Sequence, residues 1–120
     1  MARILIAEDQ DATRQTYAMA LRAAGHDVIE AADGADALAL LKGGQSIDIL
    51  LSDVDMPGMT GIELASECLS TKATLPIVLM SAHADHGFKG ADKLGASVKA
   101  RLTKPISNKD LVAAIQAALS

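Results

Sequence analysis

The sequence predicts an α/β fold, a doubly wound sheet of five parallel strands with helices on both faces. Two observations carry that expectation. Short apolar runs alternate with segments of helical period five times in succession, the pattern of repeated βα units. The runs also end in polar groups: Glu8 and Asp9 after the first, Asp53 after the third, Ser81 at the fourth and Lys104 after the fifth. In open α/β sheets, ligands bind beyond the carboxyl ends of the strands.

The elements follow in order. Ile4 to Ala7 reads as a strand. Asp11 to Ala24 reads as a helix with Tyr17, Ala18, Leu21 and Ala24 on one stripe and Gly25 as its stop. Asp27 to Ala31 is a second strand, followed by a helix from Gly34, capped by Asp33 and ending at Gly43-Gly44. Ile47 to Ser52 is the third strand. Thr60 opens the next helix, and Glu63 completes a capping-box pattern. Pro76 to Ser81 makes the fourth strand. Ala84 to Leu94 is expected to be a fourth helix, weakened by Gly87 and Gly90. Val98 to Leu102 alternates apolar residues with Lys99 and Arg101, as an edge strand does. Ser107 caps the last helix, with Asp110 at the box position and Leu111, Ala114, Ile115, Ala118 and Leu119 on its apolar side.

The 120 residues suffice for one domain, 1–120, with its own core and with no second domain expected to carry an output. Half the residues are apolar but only Tyr17 and Phe88 are aromatic, so the core must be built from aliphatic side chains and Met. A formal charge of −4 argues against nonspecific nucleic-acid binding, which needs a basic surface. Cys68 stands alone, excluding an intrachain disulfide and suiting a reducing compartment; it reads as a packed small hydrophobe in the third helix. The first apolar run is too short for a signal peptide, and none approaches the roughly 18 residues of a membrane span. A cytoplasmic monomer is the expectation.

Glu8, Asp9 and Asp53 brought to one edge of the sheet would repel. Two unit charges about 4 Å apart cost on the order of 4 kcal/mol at an effective dielectric near 20. Either protons or a cation must relieve them. Hard oxygen donors with room for water suit Mg²⁺, and Lys104 adds a fixed positive charge beside Asp53. An aspartate between a divalent ion and an ammonium can attack phosphorus and form an acyl phosphate. A hydroxyl such as Ser81 would then bond the new phosphate.

The motifs Ile4-Leu5-Ile6-Ala7-Glu8-Asp9, Leu51-Ser52-Asp53-Val54-Asp55-Met56-Pro57-Gly58-Met59-Thr60-Gly61, Val78-Leu79-Met80-Ser81-Ala82 and Leu102-Thr103-Lys104-Pro105 stand in that order. Together they make the chain resemble a response-regulator receiver domain along nearly its whole length. The resemblance implies a flavodoxin-like sheet of order 2-1-3-4-5 with five helices. It implies that Asp53 accepts a phosphoryl group from a histidine kinase or phosphotransfer protein. It also implies that Glu8, Asp9, Asp53 and the main-chain carbonyl of Asp55 bind Mg²⁺, and that Ser81 and Lys104 contact the phosphate. With no output domain, the effect would pass to a downstream protein partner or onward as a phosphoryl relay. A narrower likeness is to the CpdR type of stand-alone receiver, an adaptor controlling a cytoplasmic protease. It rests on the opening from Met1 to Asp9 and on the aromatic-free segment before the lysine.

The chain also departs from the family. Arg101 stands where the family usually has an aromatic, Ile106 stands where Phe commonly follows Lys-Pro, and the segment Gly95 to Lys104 is longer than usual. The aromatic switch is therefore in doubt, and Arg101, Lys99 and Ile106 mark the places where a signalling surface would differ. Lys99 and Arg101 read equally as edge protection and as partner contacts. Asp55 reads as a turn former before Pro57 and as a residue that repels or positions hydrolytic water. His83 reads first as a surface histidine and second as a modulator of phosphate lifetime. His26 and His86 read as exposed. Two other functions compete. Asp53-Val54-Asp55 resembles the Asp-x-Asp of haloacid-dehalogenase phosphatases, although that motif normally ends the first strand. A pseudo-receiver that binds partners without phosphorylation is the third reading, and retention of all the acids with Lys104 speaks against it.

Overall fold

The computed structural model describes residues 2–120, so Met1, the first residue of the opening behind the narrower likeness, lies outside the described residues. The strands are β1 (Arg3–Ala7), β2 (Asp27–Ala31), β3 (Ile49–Asp53), β4 (Ile77–Ser81) and β5 (Val98–Thr103). The α-helices are α1 (Asp11–Ala23), α2 (Gly34–Lys42), α3 (Gly61–Thr71) and α4 (Asn108–Leu119), and a 3₁₀ segment, Ala91–Ser97, makes the fifth helical element. All neighbouring strands pair in parallel, in the order β2-β1-β3-β4-β5. This is the doubly wound, flavodoxin-like sheet.

Side chains alternate across each strand, so one strand feeds two cores. Ile4, Ile6, Ile49, Leu51, Val78 and Met80 meet Tyr17 and Leu21 of α1 and Leu111, Ile115 and Ala118 of α4. Leu5, Ala7, Leu50, Ile77 and Leu79 meet Ala37, Leu41, Leu64, Ala65 and Cys68 of α2 and α3. The helix ends form as their sequence signals direct. Asp33 accepts from the Asp36 amide at 2.8 Å, and Ser107 from the Asp110 amide at 3.1 Å. Thr60 and Glu63 complete a reciprocal capping box. The α1 stripe is narrower than expected, since Ala24 is exposed just beyond the helix.

Two expectations need correction. Ala84 to Leu94 does not form an α-helix: residues 84–90 are turns, and the helical part is the 3₁₀ segment, shifted toward the C-terminus. Gly90 has φ +92° and Gly95 φ +63°, left-handed backbone that interrupts a right-handed ladder. His26 is buried rather than exposed: its Nδ1 accepts from the Ala2 amide at 3.2 Å, while Nε2 has no partner among the described residues. Ile106 is half-buried and packs on the cluster between α1 and α4.

β5 is the edge strand its alternation predicts, with Lys99, Arg101 and Thr103 exposed. Ile77 pairs with Val98 and Val78 with Ala100, so Lys99 is skipped as a bulge that takes up extra length on this strand. No helix among the described residues is long and apolar enough to cross a membrane.

Candidate phosphoacceptor site

The parallel register sets the strand ends side by side. Ala7 lies opposite Ser52, and Asp53 opposite Met80. Glu8 and Asp9, which follow β1, therefore arrive beside the end of β3. Carboxylate oxygens of Glu8, Asp9 and Asp53 lie within 4.8 Å of one another. Glu8 and Asp53 are buried, and Asp9 is half-buried. Lys104, one residue past β5, is anchored by its amide to the Ser81 carbonyl at 2.8 Å. Its Nζ donates to Asp53 Oδ2 at 3.0 Å and also pairs with Glu8 Oε1. The lysine thus bridges two acids, where only its contact with Asp53 was expected.

Asp53 Oδ1 accepts from the Asp55 amide at 3.2 Å, which leaves the carboxylate fixed at both oxygens. Gly61, the first residue of α3, packs directly on the Asp53 backbone. A Cβ there would lie 2.9 Å from the Asp53 carbonyl carbon and closer still to its oxygen. The glycine was visible in the motif, but its contact was not. Arg14 was missed outright. Its Nη1 donates to the Glu8 carbonyl at 2.9 Å, while Nε reaches Glu30 at 3.3 Å and Nη2 reaches Asp11 at 2.7 Å. A basic residue one turn inside the helix that follows two acids was the available signal.

The remaining site residues fall into two groups. Ser81 is fully buried, and its hydroxyl donates to Asp55 Oδ2 at 3.1 Å and accepts from the His83 amide at 3.0 Å. The His83 ring is exposed and stacks on His86, centroid to centroid at 4.9 Å. Lys99 and Arg101 lie apart from this cluster on the sheet edge, where Arg101 pairs with Asp92 at 2.9 Å. Both partners of that pair are solvent-exposed, and such pairs contribute little.

Electrostatics separate the charges. Burial pushes the Glu8 carboxyl up from 4.5 to about 7, against the pull of its Lys104 and Gln10 hydrogen bonds. For Lys104 burial acts downward, but bonding to Glu8 and Asp53 outweighs it, and the ammonium is held above its ordinary value. The sign of the resulting pH dependence follows. Between about 4.5 and about 7 the native state keeps a proton on Glu8 that the unfolded chain has released. This contribution is complete below 4.5 and is lost as pH rises through about 7. Thermal unfolding of metal-free protein should show the midpoint falling by several degrees across that window, and Glu8→Gln should flatten the fall. Equal slopes in both proteins would contradict the assignment.

A doubly wound parallel sheet carrying three acids and a lysine at its carboxyl edge defines a class of signalling domain. The response regulator receiver domain model matches residues 4–116, and the chain belongs to that family. It is similar to the sensor kinase CckA of Brucella abortus (strain 2308), 37% identical over 117 residues, which are 96% of this chain and 12% of that protein. It is likewise 37% identical over 119 residues to the transcriptional regulatory protein PdtaR of Mycobacterium tuberculosis (strain H37Rv), covering 98% of this chain and 57% of that one. The chain thus spans only part of these relatives. Among solved structures, the chemotaxis protein CheY4 of Vibrio cholerae superposes with a TM-score of 0.89 at 32% identity, covering 99% of each chain. The receiver domain of the hybrid histidine kinase CckA gives 0.79 at 35% identity, covering 98% of this chain and 99% of that one. Receiver domains bind Mg²⁺ at an acidic pocket, and the Glu8, Asp9 and Asp53 cluster supplies the hard oxygen donors such an ion takes.

Proposed function

We propose that this receiver accepts a phosphoryl group on Asp53 from a phosphohistidine of a histidine kinase or phosphotransfer protein, and thereby switches its binding to a downstream protein. The observation that carries this reading is the Asp53 carboxylate at the end of β3, bonded to Lys104 at 3.0 Å and clustered with Glu8 and Asp9. An Asp53 oxygen attacks phosphorus as the P–N bond breaks, and the leaving imidazole keeps the nitrogen electron pair and takes up a proton. Glu8, Asp9, Asp53 and the Asp55 carbonyl would hold Mg²⁺, which when bound neutralises charge on the transferring group. Lys104 neutralises the same oxygens from its own side. Ser81 supplies a hydroxyl to the product.

The reading favours a phosphoacceptor over a turnover phosphatase. Asp53-Val54-Asp55 closes the third strand rather than the first, and the Asp55 side chain is engaged by Ser81. It also favours phosphorylation over a pseudo-receiver role, because the acids and the lysine are brought into bonding range. We take the domain to act as a cytoplasmic monomer, in the manner of the CpdR-type adaptors. Intact mass after incubation with acetyl phosphate and Mg²⁺ tests the chemistry. A phosphate-sized gain that disappears with chelator is expected; no gain with any donor would overturn it. Side-by-side affinity capture with phosphorylated and unphosphorylated protein tests the switch.

A further inference from the structure

We propose that the Asp55 carboxylate is a positioning residue for Ser81, holding the only hydroxyl hydrogen of that side chain in the resting protein and so restraining phosphoryl uptake at Asp53. The proposal rests on the phosphoacceptor reading of Asp53.

A serine hydroxyl has one hydrogen to donate. In Ser81 it goes to Asp55 Oδ2, at 3.1 Å. A lone pair is also committed, to the His83 amide at 3.0 Å. Ser81 is fully buried, and no water replaces these partners by simple exposure. The hydroxyl is covered by Gly87, where an added Cβ would stand 2.7 Å from Ser81 Cβ and nearer still to Oγ. The turn from His83 to Gly87 closes on itself through the Gly87 amide and the His83 carbonyl, at 2.7 Å. Ser81 is thus held from three directions.

Phosphoryl oxygens on Asp53 can only accept hydrogen bonds from a hydroxyl. To donate to them, Ser81 must withdraw its hydrogen from Asp55. The bond it gives up is to an ionised carboxylate, the stronger kind of hydrogen bond. Asp55 itself is exposed and lies next to the acceptor, with its amide on Asp53 Oδ1 at 3.2 Å. The same residue therefore lends its backbone to Asp53 and sets its side chain in competition with the phosphoryl group.

A double-mutant cycle isolates this competition from simple repulsion between Asp55 and the incoming anion. Beryllofluoride with Mg²⁺ serves as the phosphoryl mimic, titrated by calorimetry against wild type, Asp55→Ala, Asp55→Asn, Ser81→Ala and the Asp55→Ala/Ser81→Ala double variant. Asp55→Ala should lower the half-saturating concentration about tenfold in the presence of Ser81. It should change that concentration little when Ser81 is already alanine. Asp55→Asn keeps a neutral acceptor and should fall between wild type and Asp55→Ala. An equal gain in both backgrounds means that Asp55 acts by charge alone and overturns the proposal, as does the absence of any gain with Ser81 present. Circular dichroism confirms folding of each variant, and Asp55, being exposed, carries no core packing. The parent reading is judged separately by wild-type mass gain from acetyl phosphate: with a gain but no coupling, only the present proposal falls, and without a gain both fall.

Discussion

Asp53→Asn should abolish phosphate uptake from acetyl phosphate while leaving the fold intact. Asn keeps the size of Asp and one oxygen that can accept from Lys104 or from the Asp55 amide, the two groups now bonded to the carboxylate. It has no anionic oxygen to attack phosphorus. The effect should be all or none in the mass spectrum, and near-native thermal unfolding should accompany it. Removing one of three clustered acids also lessens their mutual repulsion, so a small rise in the metal-free melting temperature is the expected sign. A mass gain retained in Asp53→Asn would place the acceptor elsewhere and remove the main support for the proposed chemistry.

Gly61→Ala should cost about 2–3 kcal/mol of stability, the range of overpacking in a close-packed site. Alanine is the better helix former by about 1 kcal/mol, and Gly61 opens α3 behind the Thr60 cap. Helix propensity alone therefore predicts stabilisation, and the measured sign decides between the two effects. The collision is with backbone: the Asp53 carbonyl carbon and the Val54 Cα both lie 2.9 Å from the added Cβ. Neither can rotate aside, so the strain must move the end of β3 or the start of α3. A displacement near 1 Å at a reacting group costs on the order of a hundredfold in rate. Urea unfolding and the rate of phosphorylation by acetyl phosphate check both halves; an unchanged midpoint with an unchanged rate would show that the contact is slack.

The strands and all four α-helices were legible because their signals are local. Apolar runs of strand length mark β1 to β4, and Asp33, Thr60 and Ser107 mark helix starts where the structure has them. The acids and Lys104 were legible in combination, because they end separate strand runs that a parallel sheet sets side by side at its carboxyl edge. What escaped reading depends on contacts between distant segments. Gly87 and Gly90 were read as weakening a helix, yet they belong to turns, and Gly87 touches a buried serine. His26 sits between glycine and aspartate, a polar setting that reads as a loop; burial follows from its bond to the Ala2 amide. The link between Ser81 and Asp55 spans 26 residues, and nothing local to either announces it.

Lys104 stands 96 residues after Glu8 and 51 after Asp53. The bridge between them can close only after the chain through β5 has been made and the last strand has docked. Closures over such long loops cost entropy before any contact rewards it. A sheet of β1, β3 and β4 without β5 would gather Glu8, Asp9 and Asp53 at one edge and lack the lysine that bridges two of them. The strand that lies at the sheet's edge thus carries the charge on which the acids at its centre depend.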